Sequence, residues 1–118
     1  MRKEEIKQLL VEYIKHMRDV TYANIEEFFE EHGFEYKGDR GSRSAVCRHV
    51  IFWEGWNNEA FDIISELMSE GKIHCSSTNV ITYLIDGKGL DLPIVKTNRD
   101  YATDHWLPVI FNAGAAEQ

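Results

Sequence analysis

A chain of 118 residues with 43% hydrophobic side chains, three Trp, five Tyr and six Phe suffices for one domain and is too rich in apolar and aromatic groups for a disordered segment. Twenty acidic against thirteen basic residues give a formal net charge of -7, which weakens general attraction to nucleic acid but leaves room for a local basic patch. The charged, amphipathic start MRKEEIKQLL is unlike a secretion signal, and no apolar run reaches the roughly 18 residues of a membrane span, so the expected setting is cytoplasmic, without a membrane partner.

Residues 3–18 predict a first helix, because Ile6, Leu9, Leu10, Tyr13, Ile14 and Met17 recur at three- and four-residue intervals with lysines and glutamates between them. Thr21 can cap a second helix running to about residue 32. Its Tyr22, Ile25, Phe28 and Phe29 point inward, Glu26, Glu27, Glu30 and Glu31 outward, and Gly33 ends it. Residues 33–56 read as a long mobile loop, with a short helical turn at 42–49 and a β-prone run at 50–53 expected beside a later hairpin. Within this loop, residues 37–48 carry Lys37, Arg40, Arg43 and Arg48, opposed only by Asp39.

Asn57 or Asn58 can cap a third helix. Ala60, Phe61, Ile63, Ile64, Leu67 and Met68 fall on one side of it, and Glu59, Asp62, Glu66 and Glu70 on the other. Gly71 supplies the stop, and residues 73–75 and 80–85 then read as two strands around the polar tip Ser76, Ser77, Thr78 and Asn79. The succession of helix, SEGKI, strand, polar tip and ITYLID resembles the end of a winged helix-turn-helix domain, whose hairpin is the wing. The resemblance covers residues 3–86 and implies an α+β fold: a winged-helix domain over residues 1–86, with a three-helix core and a small antiparallel β-sheet. The runs FWEGWN and LIDGKGLDLPIVK are similar to stretches of small uncharacterised bacterial or phage proteins, from which no function follows. A helix-turn-helix joins its helices by three or four residues, so the loop at 33–56 departs from the plan.

Residues 87–118 form a C-terminal extension. Residues 92–95 and 106–111 are apolar, and Pro93 and Pro108 suit an edge strand or an extended arm. The arm either wraps its own domain or covers a partner, and a disordered tail is expected at 113–118.

Little in the chain points to catalysis. Cys47 and Cys75 fit reduced thiols, with a single bridge left open. With His49 and His74 they make the best metal set available, yet CxxC and HxxxH spacings are missing, so neither metal nor cofactor is expected. No phosphate loop or G-x-S-x-G occurs, and His16, His32 and His105 have no visible partner.

Winged-helix proteins most often read DNA with the third helix, but here its outward carboxylates would meet phosphates and repel them. The leading expectation is therefore a non-enzymatic protein-interaction or regulatory module. Glu59, Asp62, Glu66, Glu70, Trp106 and Phe111 would meet a protein partner or a second copy in a homodimer. The alternative is a DNA-binding transcriptional regulator using the basic loop at 37–48, through Lys37, Arg40, Arg43 and Arg48, with Asn57 and Asn58. An enzyme of unknown class is the second alternative.

Overall fold

The first predicted helix spans Lys3–Met17 (α1), with Ile6, Leu10 and Ile14 buried along one stripe. The computed structural model describes residues 2–97 and 101–116. Val20–Thr21 (β1) leads directly into Tyr22–Glu31 (α2). There the Thr21 hydroxyl accepts from the Asn24 N–H while the Asn24 side chain accepts from the Thr21 N–H, a reciprocal cap that satisfies two free donors.

The stretch expected to be a mobile loop is instead a β-hairpin, Lys37–Arg43 (β2) antiparallel to Val50–Trp56 (β3). No helical turn forms at 42–49. There the Ser44 hydroxyl accepts from the Val46 and Cys47 N–H groups and closes a polar turn. β2 is almost wholly exposed and has no apolar alternation to reveal it. It is held by its ladder to β3, whose Val50, Ile51, Trp53 and Trp56 are buried. Gly38 is required at its start, since a Cβ there would lie 2.7 Å from the Asn57 backbone.

Asn57 caps Asn58–Ser69 (α3) by accepting from the Ala60 N–H. Gly71, with φ +70°, ends it, and the Lys72 N–H returns to the Leu67 carbonyl. Ile73–Ser77 (β4) follows as predicted, but the second arm of the expected wing is absent. Residues Ile81–Ile85 form a short helix (α4), begun by Asn79, whose side chain accepts from the Ile81 N–H. β-Propensity loses here because Tyr83 is buried, donating its hydroxyl to the Val109 carbonyl at 2.5 Å and accepting from the Tyr22 N–H at 3.0 Å.

The extension supplies the missing strands. His105–Trp106 (β5) runs parallel to β3, and Val109–Ala113 (β6) pairs antiparallel with β4 from Ile73↔Ala113 to Ser77↔Val109. β6 also pairs with β1, so the two sheets have the orders β1-β6-β4 and β2-β3-β5. β3 therefore does not lie beside β4, as the 50–53 run was expected to. The arm wraps its own domain. Trp106 is 2% and Phe111 0% exposed, and Ile94 bridges to Trp106. Of the tail expected to be disordered, Ala113 closes β6, and residues 117–118 lie outside the described residues, as do 98–100 of the polar run.

The described residues thus make an α+β fold of four helices and two three-stranded sheets. Tyr22 joins the layers: its ring stacks on Trp53 at 5.6 Å and meets Trp56 and Phe111 edge-on. Among the described residues no helix is long and apolar enough to cross a membrane.

Candidate functional site

The outward face of α3 divides in two. Glu59, Asp62 and Glu70 are exposed and Glu66 is half-buried, but the carboxylates of Glu66 and Glu70 are paired with α1. Lys3 Nζ reaches Glu66 Oε2 at 2.5 Å, and Lys7 Nζ lies 3.1 Å from both Glu66 Oε1 and Glu70 Oε2. Half of the expected acidic docking face is therefore an internal ion-pair network. Hydrogen bonds from Lys3 and Lys7 to Glu66, and from Lys7 to Glu70, hold both carboxyls below the ordinary value of 4.5. Depressed carboxyls stabilise the fold fully above about pH 4.5, and that contribution is lost as pH falls through their folded values. Lys7→Gln is expected to lower the urea midpoint at pH 7, with the gap to wild type closing by about pH 3. A gap independent of pH would mean that Lys7 acts through packing alone.

The six residues expected to contact nucleic acid separate between the two ends of the β2–β3 hairpin. At one end, Lys37 and Arg40 both register against Trp56, beside the start of α3. Asn57 is fully occupied there, capping α3 and donating its amide to the Glu35 carbonyl at 2.9 Å, while Asn58 is exposed. At the other end, Arg43 is a strut rather than a free cation. Its guanidinium donates to Asp104 Oδ1 at 3.1 Å and to the Arg48 carbonyl at 2.7 Å. His49 Nδ1 lies 2.8 Å from the same Asp104 oxygen. His49 and Arg43 together hold the Asp104 carboxyl below its usual range. Lys37, Arg40, Arg43 and Arg48 are all exposed, but Arg43 is engaged with Asp104 and Arg40 has Asp39 at 3.8 Å.

Trp106 and Phe111 are core residues, unavailable to a partner, because β5 and β6 place both rings inside the domain. Among the described residues Val46 and Leu9 are exposed singly, whereas on α4 three aliphatic residues are exposed within one turn, Ile81, Leu84 and Ile85 at 57%, 63% and 80%. Sequence reasoning missed this surface by reading the run as a strand. The visible signal was the spacing of Ile81, Leu84 and Ile85 at positions i, i+3 and i+4, with Tyr83 alone on the opposite side.

Sequence reasoning also placed Glu26 on the outside. It is 8% exposed, and its Oε2 accepts from the indole N–H of both Trp53 and Trp56 at 2.9 Å. Lys88 Nζ reaches its Oε1 at 2.6 Å. Nothing local marks Glu26 out from its neighbours, since its donors arrive from β3 and from beyond α4. Glu30 accepts from the Tyr36 hydroxyl at 2.5 Å and remains exposed, so α2 presents Glu27, Glu30 and Glu31 to solvent.

Cys47 and His49 lie in and beside the hairpin turn, while His74 and Cys75 lie on β4, where His74 Nδ1 approaches the Gly114 carbonyl at 3.0 Å. Among the described residues no group of three or more His, Cys, Asp or Glu side chains is arranged to hold a metal ion. Buried side-chain nitrogens and oxygens among the described residues all have hydrogen-bond partners. No family model, curated protein or solved structure matches the chain.

Proposed function

We propose that this chain is a non-enzymatic protein-docking module on a winged-helix-like core, with α4 as its contact surface. The observation that carries this reading is the cluster of Ile81, Leu84 and Ile85, three large aliphatic side chains turned to solvent within a single short helix. Exposed apolar residues scattered singly are ordinary on a monomer, whereas a contiguous group at helical spacing is how a helix enters a partner's groove. The surroundings indicate the partner's charge. Asp86 accepts from Thr21 and Asn24 at the start of α2, and burial, followed by the charges of Glu27, Glu31 and Asp86, pushes the Tyr13 phenol above its ordinary value. The aliphatic turn thus borders carboxylates, which suits an apolar cleft rimmed by Lys and Arg. Support for the winged-helix-like core is the order of three helices, α1, α2 and α3, with a paired β4 behind the third, although the β2–β3 hairpin separates α2 from α3. A further departure is that β4 pairs with 109–113 rather than with the segment after its own turn.

A photo-crosslinking aromatic residue placed at position 85 is expected to capture a partner. Capture should weaken with salt and disappear when Leu84→Glu is added. Because Leu84 is exposed, that substitution should leave stability within about 0.5 kcal/mol of the parent. Capture unchanged by Leu84→Glu, or self-association at low salt despite the carboxylate rim, would overturn the reading.

Nucleic-acid binding through the hairpin is the second reading, favoured by the exposure of Lys37, Arg40 and Arg48. It demands binding to duplex DNA with a steep salt dependence that flattens in Arg40→Ala and Arg48→Ala. Without such binding at low salt it falls.

A further inference from the structure

A space of about 300 Å³ lies where three separately built parts meet: the β2–β3 hairpin, α3, and the sheet containing β4 and β6. Its walls include Phe52, Phe61 and Met68, the first two only half-buried and the last exposed at the mouth. Four polar residues belong to the same lining: Tyr22, Ser42 and Cys75, with Ser65 contributed by α3. Tyr22 is buried, and its phenol and the Ser42 hydroxyl lie on the same lining. No side chain of the lining is charged.

The strand that roofs this space offers nothing to fill it. Where β2 crosses α3 it carries Gly38, Gly41 and Ser42 rather than the aliphatic residues that normally close a strand-on-helix contact. The size of the space matches the lower end of pockets that take small ligands, enough for one ring system with few substituents. Its lining sets the ligand's charge. An ion entering a site without a counter-charge forfeits its hydration, whereas a neutral hydroxyl or carbonyl needs only one hydrogen-bond partner, which the Tyr22 and Ser42 pair provides. Burial pushes the Tyr22 phenol and the Cys75 thiol above their ordinary values, so both stay neutral and the site offers no anion of its own.

We propose that this space binds an uncharged, ring-sized apolar molecule carrying one hydroxyl or carbonyl, with that polar atom on the Tyr22 and Ser42 hydroxyls and the ring between Phe52 and Phe61. The site is separate from the α4 surface and does not depend on it. A ligand there would brace the hairpin against α3, the two elements between which the space opens.

Titration of the ¹⁵N-labelled chain with phenol, toluene and benzoate tests the assignment. Phenol should give saturable shifts at the amides of Ser42, Phe61 and Cys75, with Kd on the order of 1 mM or tighter. Toluene should bind the same amides about 2- to 10-fold more weakly, the worth of one hydrogen bond, and benzoate should not bind there. Tyr22→Phe keeps the ring and should narrow the difference between phenol and toluene. Ser42→Leu, which fills the space from the strand, should abolish binding of both while retaining a dispersed spectrum. The proposal is overturned by shifts that do not saturate at concentrations on the order of 10 mM. It is equally overturned by benzoate binding as well as phenol, or by a folded Ser42→Leu that binds as the parent does.

Discussion

Glu26→Ala is expected to cost about 3–5 kcal/mol, the range for breaking a buried, hydrogen-bonded charge cluster from one side. The carboxylate is the shared acceptor for two indoles and a lysine: removing it leaves the Trp53 and Trp56 N–H groups buried without a partner and Lys88 without its counter-charge. Each orphaned donor costs about 1–3 kcal/mol, and the truncation also removes packing between α2 and β3. Glu26→Gln should cost less than half as much, since an amide oxygen of the same shape still accepts from both indoles. Lys88→Met should be milder still, because Lys88 is partly exposed. Urea unfolding followed by tryptophan emission reads all three, the indoles being both the reporters and the partners. A Glu26→Ala loss below about 1 kcal/mol would mean that water or a neighbouring acceptor replaces the carboxylate.

The second large effect belongs to Tyr83→Phe, a substitution that removes one oxygen and no carbon. That oxygen donates to the Val109 carbonyl and accepts from the Tyr22 N–H, so it ties α4 both to the first residue of α2 and to β6. Both backbone groups would be left buried and unpaired, for an expected loss of about 2–4 kcal/mol. Tyr83→Ala should add a cavity and bring the loss to about 3–5 kcal/mol or more. If residues 80–85 were a solvent-facing wing strand instead, Tyr83→Phe would be nearly neutral. The measurement therefore discriminates a helix anchored by Tyr83 from the hairpin that the β-branched residues suggest.

These two side chains also mark where reading the chain residue by residue stopped working. The three long helices were legible because their signals are local: apolar residues at helical spacing, Thr21 and Asn57 at the caps, Gly33 and Gly71 at the stops. β4 was legible for the same reason. β2 was not, because a strand that buries almost nothing has no periodicity, and only its ladder to β3 defines it. The 81–85 run carried a β-type composition and became helix once Tyr83 had a buried site to fill. As for the candidate surfaces, the basic residues of the hairpin and the acids of α3 were visible as charges. Their pairing with Asp104, Lys3 and Lys7 was not, because each partner lies more than fifty residues away.

Sequence alone determined an α+β chain with an acidic balance, three amphipathic helices, two of them capped, and a strand after the last of them, since caps, stops and amphipathic stripes act within a few residues. Tertiary structure alone decided that Glu26 points inward, that β4 takes its partner from 109–113, and that the aliphatic turn at 81–85 stays in solvent. A buried acceptor, a strand partner and a covered face are all supplied by distant segments, and no spacing along the chain encodes which segment arrives.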